Sequence, residues 1–312
     1  MGRYERSLFD TQHPTMGGTL TKGVHVARRK KKVDQVRNLV VVSDLHAGCR
    51  VGLCPPDPIR LDDGGTYKAS RLQSKIWAWW EEFWAEWVPR VTRGEPYHVL
   101  CNGDALDGVH HNSTTQISHN ISDQIRIAEM ILAPVVEKAE NYYHIRGTEA
   151  HVGPSGVNEE LLAKSLGAVP GDQGEYARWE MWARLGYGLI HLTHHIGTTG
   201  SMHYETTAVN KELTEMYTES ARWSEEPPDV VVRSHRHRHV KVEVNVEKHG
   251  HPGIAISTVT PSWQLKTPFA YRIPGGRASR PQIGGILVRC GDEEIYTRSF
   301  VRALKGTKET KL

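Results

Sequence analysis

The sequence predicts an α/β fold in which a mixed sheet has a second sheet packed on it. Three observations predict it. Short apolar runs of strand length alternate with longer helix-period stretches through most of the chain. Five of the short runs end in polar residues able to hold a metal ion. Beyond Pro227-Pro228 the helical pattern gives way to a succession of short strands.

The first run, Leu39 to Val42, is aliphatic at every position, as expected of a strand buried on both faces. It leads directly into Asp44 and His46, a carboxylate and an imidazole two residues apart. A loop rich in Pro, Gly and Asp, Cys49 to Thr66, follows. Lys68 to Val91 reads as a helix with a wide aromatic face, closed by Pro89 and Gly94. The second strand, Tyr97 to Cys101, runs into Gly103-Asp104 and Asp107, with His110 and His111 close behind. A helix over Ser122 to Lys138 precedes the third strand, Tyr142 to Ile145, which ends in Arg146-Gly147-Thr148-Glu149-Ala150-His151. A further helix covers Asn158 to Leu166. Trp179 to Leu185 and Tyr187 to Leu192 form a hairpin turning at Gly186 and ending in Thr193-His194-His195. His203 to Trp223 is helical. Asp229 to Val232 is a strand ending in Ser234-His235-Arg236-His237. Strands over 240–246, 254–259, 283–289 and 295–301 complete the chain, and 261–281 is a loop carrying Arg272, Arg277 and Arg280.

Composition narrows the function without choosing it. A net charge of +3 over 312 residues makes no general demand for a polyanionic partner. Eighteen histidines are an excess, and many adjoin Asp, Gly or another His. The four cysteines form no CxxC pair, and a reduced chain is expected. No apolar run is long enough for a membrane span, and no secretory signal is visible. The chain reads as one domain, 38–304, after an arm, 1–37, and before a short basic tail, 305–312. The arm's run Arg28-Arg29-Lys30-Lys31-Lys32 is either a solvated lead-in or an electrostatic contact for nucleic acid.

Carboxylates and imidazoles together suit a borderline transition metal such as Mn²⁺, Zn²⁺ or Fe. There are too many candidates for one cation, and a carboxylate such as Asp104 can bridge two. Two divalent cations about 3.5–4 Å apart clamp a phosphoryl group and lower the pKa of bound water toward about 7. Such a site needs no Ser or Cys nucleophile, and the chain shows no nucleophile-elbow motif.

In this order, Asp44-Leu45-His46, Gly103-Asp104 with Asp107, Gly147-Thr148-Glu149, His194 and His235-Arg236-His237 resemble the motifs of the calcineurin-like metallophosphoesterase superfamily. The resemblance runs from residue 39 to about 240. It implies a four-layer α/β/β/α sandwich of two mixed sheets flanked by helices, with a dinuclear centre. Asp44, His46 and His237 resemble the ligands of one metal, and Asp104 the bridging carboxylate. His194 and His235 resemble ligands of the second. Asp107 is expected to orient a catalytic imidazole. The chain departs from the family twice. Ser234 replaces a glycine, and the usual Gly-Asn-His is here Gly147-Thr148-Glu149-Ala150-His151, so the asparagine ligand is absent. Either Thr148 or Glu149 completes the second site, and Glu149 is the better donor. His151 is then the expected proton donor to the leaving group. Arg146, Arg236 and His111 are candidate substrate contacts.

The resemblance implies a metal-dependent hydrolase of phosphate esters, with phosphodiesters of nucleic acid or nucleotides preferred and attack by a metal-bound hydroxide. A phosphomonoesterase or protein phosphatase, and a non-catalytic scaffold with a degenerate site, are the alternatives. Mn²⁺ is the first expectation for the metals. The loop around Thr148 resembles that of phage- and prophage-encoded members. The expected setting is cytoplasmic, the host cytoplasm for a phage protein, with no membrane partner and with nucleic acid as a candidate partner.

Overall fold

The computed structural model describes residues 36–110, 112–197, 202–248, 250–272 and 279–304. They lie within one compact unit, Gln35–Leu312. Most of the expected arm and all of the tail, with His111 and Arg277, fall outside the described residues.

The elements run in chain order: β1 Asn38–Val42, β2 Ile59–Arg60, β3 Thr66–Tyr67, α1 Arg71–Glu82, a π-helical turn Phe83–Trp87, α2 Val88–Thr92, β4 His98–Asn102, α3 Ile121–Val136 and β5 Tyr142–Ile145. Next come α4 Glu149–Val152, α5 Val157–Ser165, β6 Ala177–Arg178, β7 Glu180–Leu185, β8 Gly188–Thr193 and α6 Glu205–Trp223. The chain closes with β9 Val230–Arg233, β10 Val240–Lys248, β11 His251–Val259, β12 Ile283–Cys290 and β13 Ile295–Arg302.

Two mixed sheets form. The first has the order β13-β12-β1-β4-β5-β6 and the second β10-β11-β9-β8-β7. In the first, β1, β4, β5 and β6 are parallel, and β12 and β13 join antiparallel at one side. In the second, β8, β9 and β11 are parallel, flanked by β7 and β10 running antiparallel.

The alternation of strand side chains sets the layers. Leu39 and Val41 pack with Leu100, Ile190, Val230 and Ile256 between the sheets. Val40 and Val42 point the other way, into a core shared with Ile76, Phe83, Ile127, Ile131 and Leu162 of the helices. Leu213 of α6 packs on Val231 and Ala255, covering the second sheet's outer face. The order is therefore helices, sheet, sheet, helix, the four-layer α/β arrangement expected. A strand with both faces buried has no polar face to show, which explains the unbroken aliphatic run of β1.

Two expectations about local structure are corrected, and the unbridged state of the cysteines is as expected. Pro89 does not end the aromatic helix. A π-helical turn over Phe83–Trp87 resets the hydrogen bonding, and Pro89 sits in the first turn of α2, where its missing N–H costs nothing. The helix stops at Arg93, which adopts a left-handed conformation. The 49–66 loop contains the small β2–β3 ladder. The four cysteines are buried and unbridged.

Candidate metal centre

The parallel pairing of β1 with β4 does not stop at the strand ends. Asp44 N–H donates to Gly103 O at 2.9 Å, His46 N–H to Asp104 O at 3.0 Å and Ala47 N–H to Ala105 O at 2.8 Å. The loops that carry Asp44, His46 and Asp104 are thus zipped side by side. In the second sheet the same thing happens where β8 and β9 end: Ser234 N–H donates to His194 O at 2.9 Å, which sets His194 beside His235. A buried belt of side chains then links the sheets. Asn102 Nδ2 donates to Thr193 O at 3.0 Å and to Ser234 Oγ at 2.6 Å. Thr260 Oγ1 lies 2.7 Å from Ser234 Oγ and 2.6 Å from Ser43 Oγ. Ser234, the departure from glycine, is a member of this belt.

Among the described residues nine non-glycine positions have positive φ, and five of them are Asp44, His46, Asp104, His235 and His237. That region is unfavourable for side chains other than Asn and Asp and is tolerated where surrounding structure enforces it. Two glycines are required by close approach. A Cβ on Gly147 would lie 2.0 Å from Asp104 Oδ1, and one on Gly103, at φ +82°, would lie 2.5 Å from His194 Nδ1.

Among the described residues the side chains converge in four overlapping groups: Asp44 with His46 and His237, Asp104 with His194 and His235, His46 with Asp104 and His151, and Asp107 with His110 and His151. In each, one potential ligand atom per residue lies within 4.8 Å of the others. His46 Nε2 and His237 Nε2 face each other at 3.1 Å, and His237 Nε2 is 3.2 Å from Asp44 Oδ1. His194 Nδ1 donates to Asn102 O at 2.6 Å, which turns Nε2 toward Asp104 Oδ2 at 3.0 Å. His235 Nδ1 stands 3.8 Å from the same oxygen.

Burial makes this cluster costly without a cation. Asp44 and Asp104 are buried, and Asp44 Oδ1 has no hydrogen-bond partner among the described residues. Burial pushes the Asp44 carboxyl up, but the His237 imidazole outweighs it and the group is held at about 2. Burial likewise opposes charge on Asp104, yet His194 and His151 bring it well below the ordinary carboxylate range. Burial disfavours the charged form of His194, and Asp104 reverses this and raises it to about 10. Nitrogen and oxygen donors facing one another at these distances, with an orphaned buried carboxylate oxygen, fit divalent transition-metal ions. Asp44, His46 and His237 would hold one, His194 and His235 a second, and Asp104 lies within reach of both groups.

The remaining expected residues divide. Thr148 is at the site and Glu149 is not. Thr148 Oγ1 lies 2.9 and 3.0 Å from the two Asp104 oxygens, and its N–H donates to Oδ1 at 2.7 Å. Thr148 is the N-cap of α4, in extended conformation with its hydroxyl turned inward, while Glu149 starts the helix and is exposed. Asp107 is buried, but its carboxylate serves His46: Oδ1 is 3.3 Å from His46 Nδ1, and Gln116 and Gln264 donate to it at 2.9 and 3.3 Å. His151 is oriented by the main chain instead, its Nδ1 lying 2.6 Å from Asp107 O. Burial and the neighbouring His46 lower His151 to about 4. His110 packs edge-on against His151, with ring centroids 4.3 Å apart.

Arg146 is spent elsewhere. It donates to Ala177 O and Ser155 O, pairs with Glu160 and stacks on Trp179. Arg236 lines the site cleft and donates to Gly197 O. His195 is exposed, whereas His194 is buried at the cluster.

Sequence reasoning missed Glu159. It is fully buried near the start of α5, and its two oxygens accept from Ala105 N–H at 2.7 Å and Gly147 N–H at 2.6 Å. Those are the residues after Asp104 and before Thr148. An Asn-Glu-Glu turn at a helix start gives no hint that one acid points inward. Trp263 was also missed. Its main-chain N–H donates to Asp44 O at 3.0 Å while its ring packs on Trp80 of α1, centroids 4.8 Å apart.

The cluster opens into a cleft of about 490 Å³ whose lining includes His46, Asp104, Thr148, His151, His235 and His237. No helix among the described residues is long and apolar enough to cross a membrane.

No family model and no curated protein matches the sequence. Solved structures do. The chain is similar to a conserved uncharacterized protein of Streptococcus pneumoniae TIGR4 described as a predicted phosphoesterase, at 13% identity and a TM-score of 0.31, over 85% of this chain and 98% of that one. It is also similar to Vacuolar Protein Sorting 29 from Cryptosporidium parvum, at 12% identity and a TM-score of 0.35, over 87% of this chain and 100% of that one. These likenesses say nothing of activity, and neither supports a phage origin.

Proposed function

We propose that this chain is a metal-dependent phosphoesterase of the calcineurin-like kind, acting on phosphodiesters. The observation that carries the reading is the convergence of Asp44, Asp104 and four imidazoles from two separate sheets in overlapping groups, and four of these six residues line a cleft. When bound, divalent cations supply positive charge that polarises phosphoryl oxygens and acidifies water.

The chain's own groups do the rest. Asp104 presents its carboxylate to both ligand groups, and Thr148 fixes its rotamer through two hydrogen bonds. Asp107 holds His46 by Nδ1, leaving Nε2 for the centre. A partner on the far nitrogen sets tautomer and ring direction in such sites. His151 carries its proton on Nδ1, bonded to the Asp107 carbonyl, so Nε2 faces the cluster. Held at about 4 in the metal-free protein, it is neutral at pH 7, and an anionic phosphate beside it would favour its protonated form. It then has a proton to pass to the leaving oxygen. Arg236 offers the cleft a guanidinium, the shape that matches phosphate. Mn²⁺ is the metal proposed first, with Zn²⁺ and Fe as the other loads.

At about 490 Å³ the cleft has room beyond one phosphate for the two organic groups of a diester, and the comparison with monoesters is left to the assay. The test is turnover of chromogenic phosphodiesters and phosphomonoesters by protein loaded in turn with Mn²⁺, Zn²⁺ and Fe²⁺. Asp104→Asn should abolish diester turnover in every case. Wild-type rates in that variant would overturn the reading. Two bound cations with no turnover of either ester class would make the cluster a scaffold.

A further inference from the structure

Among the described residues four strands stand at the edges of the two mixed sheets: β13 and β6 in the first, β10 and β7 in the second. An open edge is a template for another strand, and proteins usually guard it with charge or keep it short. β6 has two residues. β13 carries only cations, Arg298 and Arg302, and repels a copy of itself. On β7, Glu180 and Arg184 flank Trp182, but Arg184 is already held by Glu226 and Glu180 lies 3.4 Å from His191. β10 is different. It is nine residues long and pairs only with β11. Apart from Val240 O, which accepts from Thr258 Oγ1, its main chain makes no hydrogen bond outside that ladder among the described residues. β11 pairs with β9 only over Ile256–Val259, so β10 from Val244 onward runs past the rest of the sheet. Val244 is 37% exposed there, and Asn245 and Glu247 are exposed beside it.

The strand reads Val-Lys-Val-Glu-Val-Asn-Val-Glu-Lys. Laid antiparallel on a second copy with Val244 opposite Val244, it sets Lys241 against Glu247, Glu243 against Asn245 and Val242 against Val246, each twice. Opposite charges facing across a strand pair stabilise it, and like charges do the reverse. Other registers lose this match. A centre at Asn245 sets Glu243 against Glu247, and a centre at Glu243 sets that carboxylate against itself. Centres at Val242 or Val246 pair only five of the nine residues. The charges that would guard the edge against foreign strands thus cancel in one register with one partner. A two-fold contact of this kind uses the same strand of each copy and closes on itself, so it stops at two. We propose that two copies of this chain join through β10 about a two-fold axis at Val244, merging their five-stranded sheets into one of ten strands. One strand pair buries less than a standard interface, so the dimer forms and separates with concentration. The pairing stands whether or not the metal centre turns over esters.

The experiment has two arms, both on the full chain. In the first, sedimentation equilibrium follows wild type and variants from micromolar to submillimolar concentration. Wild type should pass from monomer to dimer. Lys241→Glu turns both contacts with Glu247 repulsive and should weaken association about tenfold, and adding Glu247→Lys should bring it back to within about threefold of wild type. The second arm reads the register with single cysteines, the four native ones being buried. Directly opposed Cα atoms of antiparallel strands lie about 4.5–5.5 Å apart, within disulfide reach. Val244→Cys should therefore give a covalent dimer on mild oxidation. Lys241→Cys, about 20 Å from its own copy in this register, should not. Wild type that stays monomeric throughout, Lys241→Glu that dimerises within twofold of wild type, no recovery in the double variant, or Lys241→Cys linking in preference to Val244→Cys would each overturn the proposal. So would a dimer lost in Trp182→Glu but kept in Lys241→Glu, which would move the contact to β7. All these side chains are exposed, and thermal melts check that the variants fold.

Discussion

Glu159 offers a test of how the centre is held together. Its carboxyl oxygens separately accept the N–H groups of Ala105 and Gly147, in a place with no access to water. Replacing it with alanine strands both donors. A buried donor left unsatisfied costs about 1–3 kcal/mol, so Glu159→Ala should lose about 2–6 kcal/mol. That is a large part of the 5–15 kcal/mol typical of a folded domain. Glu159→Gln keeps the shape and one acceptor oxygen, but turns an NH₂ toward the second N–H, so it should lose about 1–3 kcal/mol. Because the two donors flank Asp104 and Thr148, the damage should extend to the metals. Outer-shell losses of this kind lower metal affinity by about 10–100-fold. Urea denaturation of the metal-free variants measures the first effect, and calorimetric titration of folded Glu159→Gln with Mn²⁺ measures the second. If Glu159→Gln were destabilised as expected but bound Mn²⁺ as tightly as wild type, the carboxyl would be a packing element only. If its stability were unchanged, the two hydrogen bonds would not be worth what their burial implies.

Four further outcomes are expected. Thr148→Val should weaken one cation more than the other in a metal titration, whereas Glu149→Ala, altering an exposed side chain, should leave both alone; the reverse pattern would restore Glu149 as a donor. His194, raised to about 10, is protonated at pH 7 in the metal-free protein, so metal uptake should release a proton, visible as a dependence of the binding enthalpy on the buffer. The same shift gives the metal-free fold a contribution that is complete below about pH 6.5 and fades as pH rises through about 10, while that of Asp44, held at about 2, is present above about pH 4 and fades as pH falls through 2. A flat stability profile on both flanks would contradict these assignments. His151→Ala should slow esters with poor leaving groups more than those with good ones, and equal slowing would remove it from proton transfer.

What the sequence displayed and what it hid follow from range. Asp44, His46, Asp104, His194, His235 and His237 each sit within a few residues of an aliphatic strand, and strand ends are visible in a local pattern. Parallel neighbours then bring such ends together. The choice between Thr148 and Glu149 was not visible, because it turns on where a four-residue helix begins. Reading Thr148 as a helix cap would not have shown it, because its hydroxyl makes no capping bond and lies on the Asp104 carboxylate instead. Arg146 looked available because its partners, Ala177, Ser155 and Glu160, lie nine or more residues away. The several partners of Asp107 were hidden for a related reason: its carboxylate lies 3.3 Å from His46 Nδ1 and 3.9 Å from His110 Nε2, while its carbonyl accepts from His151 Nδ1. The placement of β12 beside β1, with β13 at the sheet edge, both from the far end of the chain, has no local signature.

The Ser43, Asn102, Ser234 and Thr260 belt makes the two sheets behave as jaws already set at their working gap. Donors on each jaw stand ready whether or not anything lies between them. A cation would then drop into a socket rather than mould one, and chelation would empty it without letting the jaws spring apart. Stripped protein should therefore keep its near-ultraviolet signature and refill quickly on adding metal.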